Sequence, residues 1–211
     1  MPNENASVSI IDDDAALLDS TGRLVRSVGF EARLFSSIAD FLKADLPDIP
    51  TCLVLDVRLP GKSGLEFQRE LAAANKQLQI IFITGHGDVP MSVQAMKGGA
   101  IEFLTKPFRD QDLLDAIEVG LARDRARREH EQGMDALRQR FEALTSRERE
   151  IMAQVALGRL SKQIAGDIGI TESTVKVHRS NLMKKMNARS LPDLSRMADM
   201  LKLVPEKPQL S

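Results

Sequence analysis

Five residues able to do chemistry sit at the ends of short apolar runs: Asp12 and Asp13 after residues 8–11, Asp56 after 52–55, Thr84 after 80–83 and Lys106 after 101–104. Aliphatic, β-branched runs bounded by charge or turn residues read as strands covered by helices on both faces. In open α/β sheets such strand ends are where ligands bind. Asp12, Asp13 and Asp56 offer the oxygens that a hard divalent cation, magnesium or manganese, prefers. Three crowded carboxylates repel one another, and a bound cation relieves that repulsion while screening an incoming anionic phosphoryl donor. Asp56 is then free to act as a nucleophile. Lys106 supplies a mobile point charge for one phosphoryl oxygen and the Thr84 hydroxyl a hydrogen bond for another. Lys106 precedes Pro107, a context that admits a cis peptide bond.

The elements that must position these groups follow from periodicity. A weaker run at residues 31–35 supplies a fifth strand, and Leu17, Leu24, Val25 and Val28 recur at helical spacing between strands. Alternating β and α patterns predict a parallel, doubly wound sheet. At 211 residues the chain has room for two cores. Its single cysteine, Cys52, falls inside a predicted strand and reads as a small core residue without a disulfide framework. No apolar run reaches the roughly 18 residues of a membrane span, and no export signal opens the chain, so a cytoplasmic protein without a membrane partner is expected.

The net charge of −1 conceals an asymmetry. Residues 1–122 hold 11 Lys and Arg against 18 Asp and Glu, whereas residues 123–211 hold 18 against 12. The basic half is the one suited to nucleic acid. Between the halves, residues 110–144 lack proline and are rich in Ala, Leu, Arg and Glu, which predicts one long helix with Gly120 and Gly133 as weak points. Met134, Leu137, Phe141 and Leu144 share a stripe that fits packing on the following domain better than a dimer coiled coil, because too few apolar heptads are present.

Thr145 with Glu148 forms a capping-box pattern that opens a helix over Ile151, Met152 and Val155 and stops near Gly158. A short helix from Ser161 to Gly169 and a third after Thr171 complete a helix-turn-helix pattern. On the third helix, residues 172–186, Val175, Leu182 and Met186 form a buried stripe, with Met183 beside them. Lys176, Val177, Ser180 and Lys184 lie opposite. An exposed valine among lysines makes sense where Val177 meets a thymine methyl or base edge and the lysines meet bases or phosphates. A last helix over residues 191–203 carries Leu194, Met197 and Leu201.

The stretches IIDDD, LVLDVRLPGKSGLEF, IFITGHGDVPMSVQAMKGGAIEFLTKPF, LTSREREIM and TESTVKVHRSNLMKKM resemble a two-component response regulator of the NarL/FixJ family, closest to its FixJ-like branch. The resemblance implies a five-stranded, CheY-like receiver at residues 1–122, a helical linker at 123–143, a four-helix LuxR-type helix-turn-helix domain at 144–204 and a disordered tail at 205–211. It implies that Asp56 is the phosphoacceptor, that Asp12, Asp13 and the Arg58 backbone carbonyl complete the metal shell, and that Thr84 and Phe103 switch while Lys106 holds phosphate. Arg58 and His86 occupy positions that tune acyl-phosphate hydrolysis. Lys176, Val177 and Ser180 match base-reading positions, with Arg179, Lys184 and Lys185 near the DNA backbone. The implied partners are a sensor histidine kinase, promoter DNA, a second copy of the chain when phosphorylated, through residues 89–98 and 103–119, and RNA polymerase.

Two other readings fit less well. A phosphoaspartyl enzyme of the haloacid dehalogenase kind needs a second aspartate two residues after the nucleophile, where Arg58 stands. An RNA-binding or phosphorylation-independent regulator would lack the acidic site or the groove-reading helix. The receiver is expected to catalyse only its own phosphoryl transfer and dephosphorylation.

Overall fold

A computed structural model describes residues 6–203; the predicted tail at 205–211 lies outside them. The described residues form two compact units, 6–128 and 129–203. In the first unit, β1 (Ser7–Ile11), β2 (Glu31–Phe35), β3 (Thr51–Asp56), β4 (Gln79–Thr84) and β5 (Glu102–Thr105) form one parallel sheet in the order β2-β1-β3-β4-β5. Strands β1 and β3 are buried along their whole length, as helices on both faces require, while the edge strands β2 and β5 are partly exposed.

Alternation along the strands sorts two cores. Val8, Ile10, Val54, Ile81 and Ile83 pack against Leu18 and Val25 of α1 (Ala15–Ser27) and Leu113 and Ile117 of α5 (Asp110–Glu142). On the other face Leu53, Leu55 and Phe82 pack against Phe41 of α2 (Ile38–Lys43), Phe67 of α3 (Gly64–Ala73) and Ala95 of α4 (Val89–Lys97). Cys52 is buried, and burial pushes its thiol up to about 12, so it is a neutral core group.

Helix α5 is a single 33-residue helix that passes both predicted weak points. Gly120 has a packing reason: a Cβ there would lie 2.7 Å from Cys52 Sγ. Further along, Asp124 is only 1% exposed. It accepts the Thr51 N–H at 3.0 Å at the start of β3, and Arg127 Nη2 and Arg128 Nε at 2.8 Å each. Arg128 in turn reaches Asp48. These bonds hold α5 to the sheet up to Arg128.

The second unit packs Leu137 and Leu144 with α6 (Ser146–Ala156), α7 (Ser161–Ile168), α8 (Glu172–Met186) and α9 (Leu191–Met200). The stripe of Met134, Leu137, Phe141 and Leu144 thus packs within its own unit. Thr145 and Glu148 form the capping box of α6, and Gly169 ends α7 in the left-handed conformation that favours glycine. Helix α9 is shorter than the span of 191–203, because Leu201 caps it and Lys202 turns to a φ of 54°.

Burial opposes charge on Asp124, but Arg128, the Thr51 N–H and Arg127 outweigh it and hold the carboxyl below its ordinary value. Its contribution to stability is therefore complete above the unfolded-state value of about 3.9 and is lost as pH falls through the lower folded value. Urea unfolding of Asp124→Asn should show a loss of about 2–3 kcal/mol near neutral pH. The gap to the parent should close below about pH 4.

Candidate functional site

Strands β1 and β3 are neighbours in register, Ile11 opposite Leu55, although they are not consecutive in sequence. Their C-terminal ends form the switch point of the sheet. Asp12 leaves β1 there and Asp56 ends β3, and both are buried, at 0% and 6% exposure. Thr84 ends β4 and is buried as well. Lys106 follows β5, its backbone N–H bonded to the Thr84 carbonyl at 2.8 Å, and the Lys106–Pro107 bond is cis.

The Lys106 ammonium donates to Asp12 Oδ2 and to Asp56 Oδ2, each at 2.6 Å. Backbone amides hold the other carboxylate oxygens: Asp14 N–H donates to Asp12 Oδ1 at 2.9 Å and Arg58 N–H to Asp56 Oδ1 at 2.9 Å. Burial raises the Asp12 carboxyl above its ordinary value, more than Lys106 and the Asp14 N–H offset. Burial also works against the charge of Lys106, but its bonds to Asp12 and Asp56 prevail and keep it protonated.

Asp13 is exposed, and one carboxylate oxygen from each of Asp12, Asp13 and Asp56 lies within 4.8 Å of the others. A hard-oxygen donor set this compact fits magnesium or manganese. The site can therefore offer a cation seat, a carboxylate nucleophile and a fixed ammonium together. Its edges carry the other predicted residues. His86 N–H donates to Thr84 Oγ1 at 3.3 Å, and the half-buried Phe103 ring lies 6.4 Å from that of Phe82.

Three supporting residues have no place in the sequence-based site. Asp14 caps α1 while its own N–H orients Asp12. A Cβ on Gly64 would stand 2.5 Å from the Asp56 carbonyl oxygen, so only glycine lets α3 start beneath the nucleophile's backbone. A Cβ on Gly87 would stand 2.9 Å from the Phe103 ring, so Gly87 makes room for that side chain. The glycines in GKSG and GHG mark turns, yet close approach between elements distant in sequence is invisible to a local reading.

In the second unit, Lys176, Val177, Ser180 and Lys184 are exposed on α8, opposite Val175, Leu182 and Met186, with Val177 60% exposed. Lys176 pairs with Glu172 at 2.8 Å. Arg179 and Lys185 are partly exposed and also bond within the unit. Arg179 bonds to the Ser161 hydroxyl, and Lys185 donates to the buried Glu148 carboxylate at 2.7 Å. Burial opposes charge on Glu148, but Lys185 and the Thr145 groups outweigh it and lower its carboxyl.

A parallel sheet in this order, with its acidic switch point, and a separate helical unit that exposes cations on α8 together define a receiver joined in one chain to a helix-turn-helix domain. Residues 8–118 match the response regulator receiver domain, and residues 142–198 match the bacterial regulatory proteins of the luxR family. The chain belongs to the response regulators of two-component systems, of the NarL/FixJ type. It is 52% identical over 196 residues to nodulation protein W of Bradyrhizobium diazoefficiens, covering 93% of this chain and 86% of that one. It is 43% identical to the transcriptional regulatory protein FixJ of Azorhizobium caulinodans, covering 92% of each. The solved structure of the response regulator StyR superposes with a TM-score of 0.83 at 47% identity, covering 92% of this chain and 98% of that one. Such a chain is a response regulator that carries a DNA-binding domain. Among the described residues no helix is long and apolar enough to cross a membrane.

Gly64→Ala should cost about 1–3 kcal/mol in urea unfolding, because a backbone carbonyl cannot move aside as a side chain can. Lys185→Ala should destabilise the second unit by about 1–2 kcal/mol, read by the same measurement, since it strands a buried carboxylate while a partly solvated lysine is lost.

Proposed function

We propose that Asp56 is the phosphoacceptor of this response regulator. A carboxylate oxygen of Asp56 attacks the phosphorus of a phosphohistidine on the partner kinase, the P–N bond breaks, and the neutral imidazole leaves as the acyl phosphate forms. The observation that carries the reading is the Lys106 ammonium, 2.6 Å from both Asp12 and Asp56 at the switch point. It stands where charge on a transferred phosphoryl group must be met. Asp12, Asp13, Asp56 and the Arg58 carbonyl would hold magnesium or manganese, which when bound supplies charge neutralisation for the aspartates and the phosphoryl oxygens. Thr84 takes the remaining phosphoryl oxygen, and Phe103 follows it inward. Water hydrolyses the acyl phosphate slowly, with Arg58 and His86 beside its path.

The output is a dimer formed through residues 89–98 and 103–119, where Val89, Val93, Met96 and Val119 expose apolar surface. Lys176, Val177 and Ser180 then read promoter DNA, with Arg179, Lys184 and Lys185 near its backbone. The receiver spans 1–122, the linker 123–143 and the DNA-binding domain 144–204. The protein acts in the cytoplasm with a sensor histidine kinase and RNA polymerase as partners. Two joined domains gain affinity for paired half-sites through effective concentration.

Solution mass and DNA affinity, measured with and without acetyl phosphate and magnesium, test the proposal. The parent should pass from monomer to dimer and bind promoter DNA at least about tenfold more tightly, and Asp56→Asn should do neither. A parent with unchanged mass and affinity would remove Asp56 as the controlling input.

A further inference from the structure

The cations of the second unit fall into two groups. Most are held by their own unit: Arg138 by Asp135, Arg147 by Glu150, Lys176 by Glu172 and Lys185 by Glu148. Arg140, near the C-terminal end of α5, and Arg189, in the turn between α8 and α9, make no side-chain hydrogen bond or ion pair among the described residues, although the charge of Arg189 helps to lower the Asp193 carboxyl. Although distant in sequence, both line one open cleft of about 720 Å³, together with Asn187, Ser190, Asp193 and Arg196. Asp193 is the only acid in that lining, and it is already engaged. It accepts Arg196 Nη2 at 2.8 Å through one oxygen and the Arg189 backbone N–H at 3.0 Å through the other. The cleft therefore sets three guanidinium groups against one carboxylate, and only Arg196 forms an ion pair with it.

Two guanidinium forks converging from different elements match the oxygens of a phosphodiester, which each can take through paired N–H groups. The shape selects a polymer over a small anion. Arg140, Asn187, Arg189 and Ser190 are all exposed, so the cleft cannot enclose a free ligand as a small-molecule pocket does. Its position selects the polymer. Asn187 is the C-cap of α8 and follows Lys184, itself exposed and unpaired, so cationic surface continues from the reading helix into the cleft.

We propose that Arg140 and Arg189 grip the sugar–phosphate backbone of duplex DNA beside the groove that α8 reads, which makes the end of the linker helix part of the nucleic-acid interface. The inference rests on the DNA-reading role of α8. Contacts of this kind position the protein without specifying sequence, and each phosphate neutralised adds about 0.9 to the slope of log affinity against log salt.

The test uses the full chain and two unrelated duplexes of about 30 base pairs, with fluorescence anisotropy over a potassium chloride series. The double variant Arg140→Gln and Arg189→Gln should bind both duplexes about tenfold more weakly near 0.1 M salt and lose about 1.8 from the slope. Arg140→Lys with Arg189→Lys should recover most of the slope, and neither pair should lower the melting temperature. Parent-like affinity and slope in the glutamine pair, with Lys176→Ala weakened, would overturn the clamp and leave the reading of α8 standing. A parent that binds neither duplex would overturn both. A loss of affinity accompanied by a lowered melting temperature would assign the arginines to packing and overturn the clamp alone.

Discussion

Two buried aspartates on adjacent strands, joined by one lysine, form the constraint on which the first unit turns. Asp12 and Asp56 are both nearly sealed from water, and two such carboxylates resist carrying charge together unless a cation stands between them. Lys106 is that cation, and it comes from β5, beyond β4 in the sheet order. Its side chain must reach past the end of β4, where Thr84 presents a short hydroxyl rather than a bulky group. The same demand explains why helix α3 has to begin at a glycine, since the Asp56 backbone can be held in place only where α3 approaches without a Cβ.

The second unit uses a related device for a different end. Glu148 is buried, caps α6 through Thr145, and takes the ammonium of Lys185 from the end of α8. Here the acid–base pair fixes a helix rather than a reaction centre. It ties the reading helix to the first helix of the unit, so the exposed face of Lys176, Val177, Ser180 and Lys184 is presented from a rigid support. The lysine that serves as that tie keeps 40% of its side chain exposed. The tie separates Lys185 from Lys184, its neighbour in sequence, which points outward without a partner.

The sheet, its helices and the helix-turn-helix were legible because each rests on local signals: short continuous apolar runs for strands, helical spacing for helices, the Thr145–Glu148 cap, and glycine after α7. The carboxylates and Lys106 were legible because their residue types match the chemistry and each follows a strand. What stayed hidden depends on contacts across the chain. Nothing near Lys185 in sequence says that Glu148 waits for it, and nothing near Asp124 says that the Thr51 N–H lies opposite. Arg179 looks like its neighbours on a helical wheel until α7 brings Ser161 to it. The arginine cleft is invisible for the same reason, since Arg140 and Arg189 come to line it only in the folded unit.

Helix α5 is where these two kinds of information meet. Its first half is bound to the sheet by Leu113, Ile117 and Leu121 and then by the Asp124 bonds; its last turns enter the second core through Leu137. Between Arg128 and Met134 every residue is exposed, so that stretch lies outside both cores and draws on helix propensity and side-chain charge. Gly133 lies there with no neighbour within 4 Å of where a Cβ would be, so no packing argument requires a glycine. Gly120 gains close contact with Cys52 in return for its backbone entropy, whereas Gly133 costs the helix about 1 kcal/mol relative to alanine without such a return. The helix is thus weakest at the stretch that belongs to neither core, and there its continuity is easiest to interrupt.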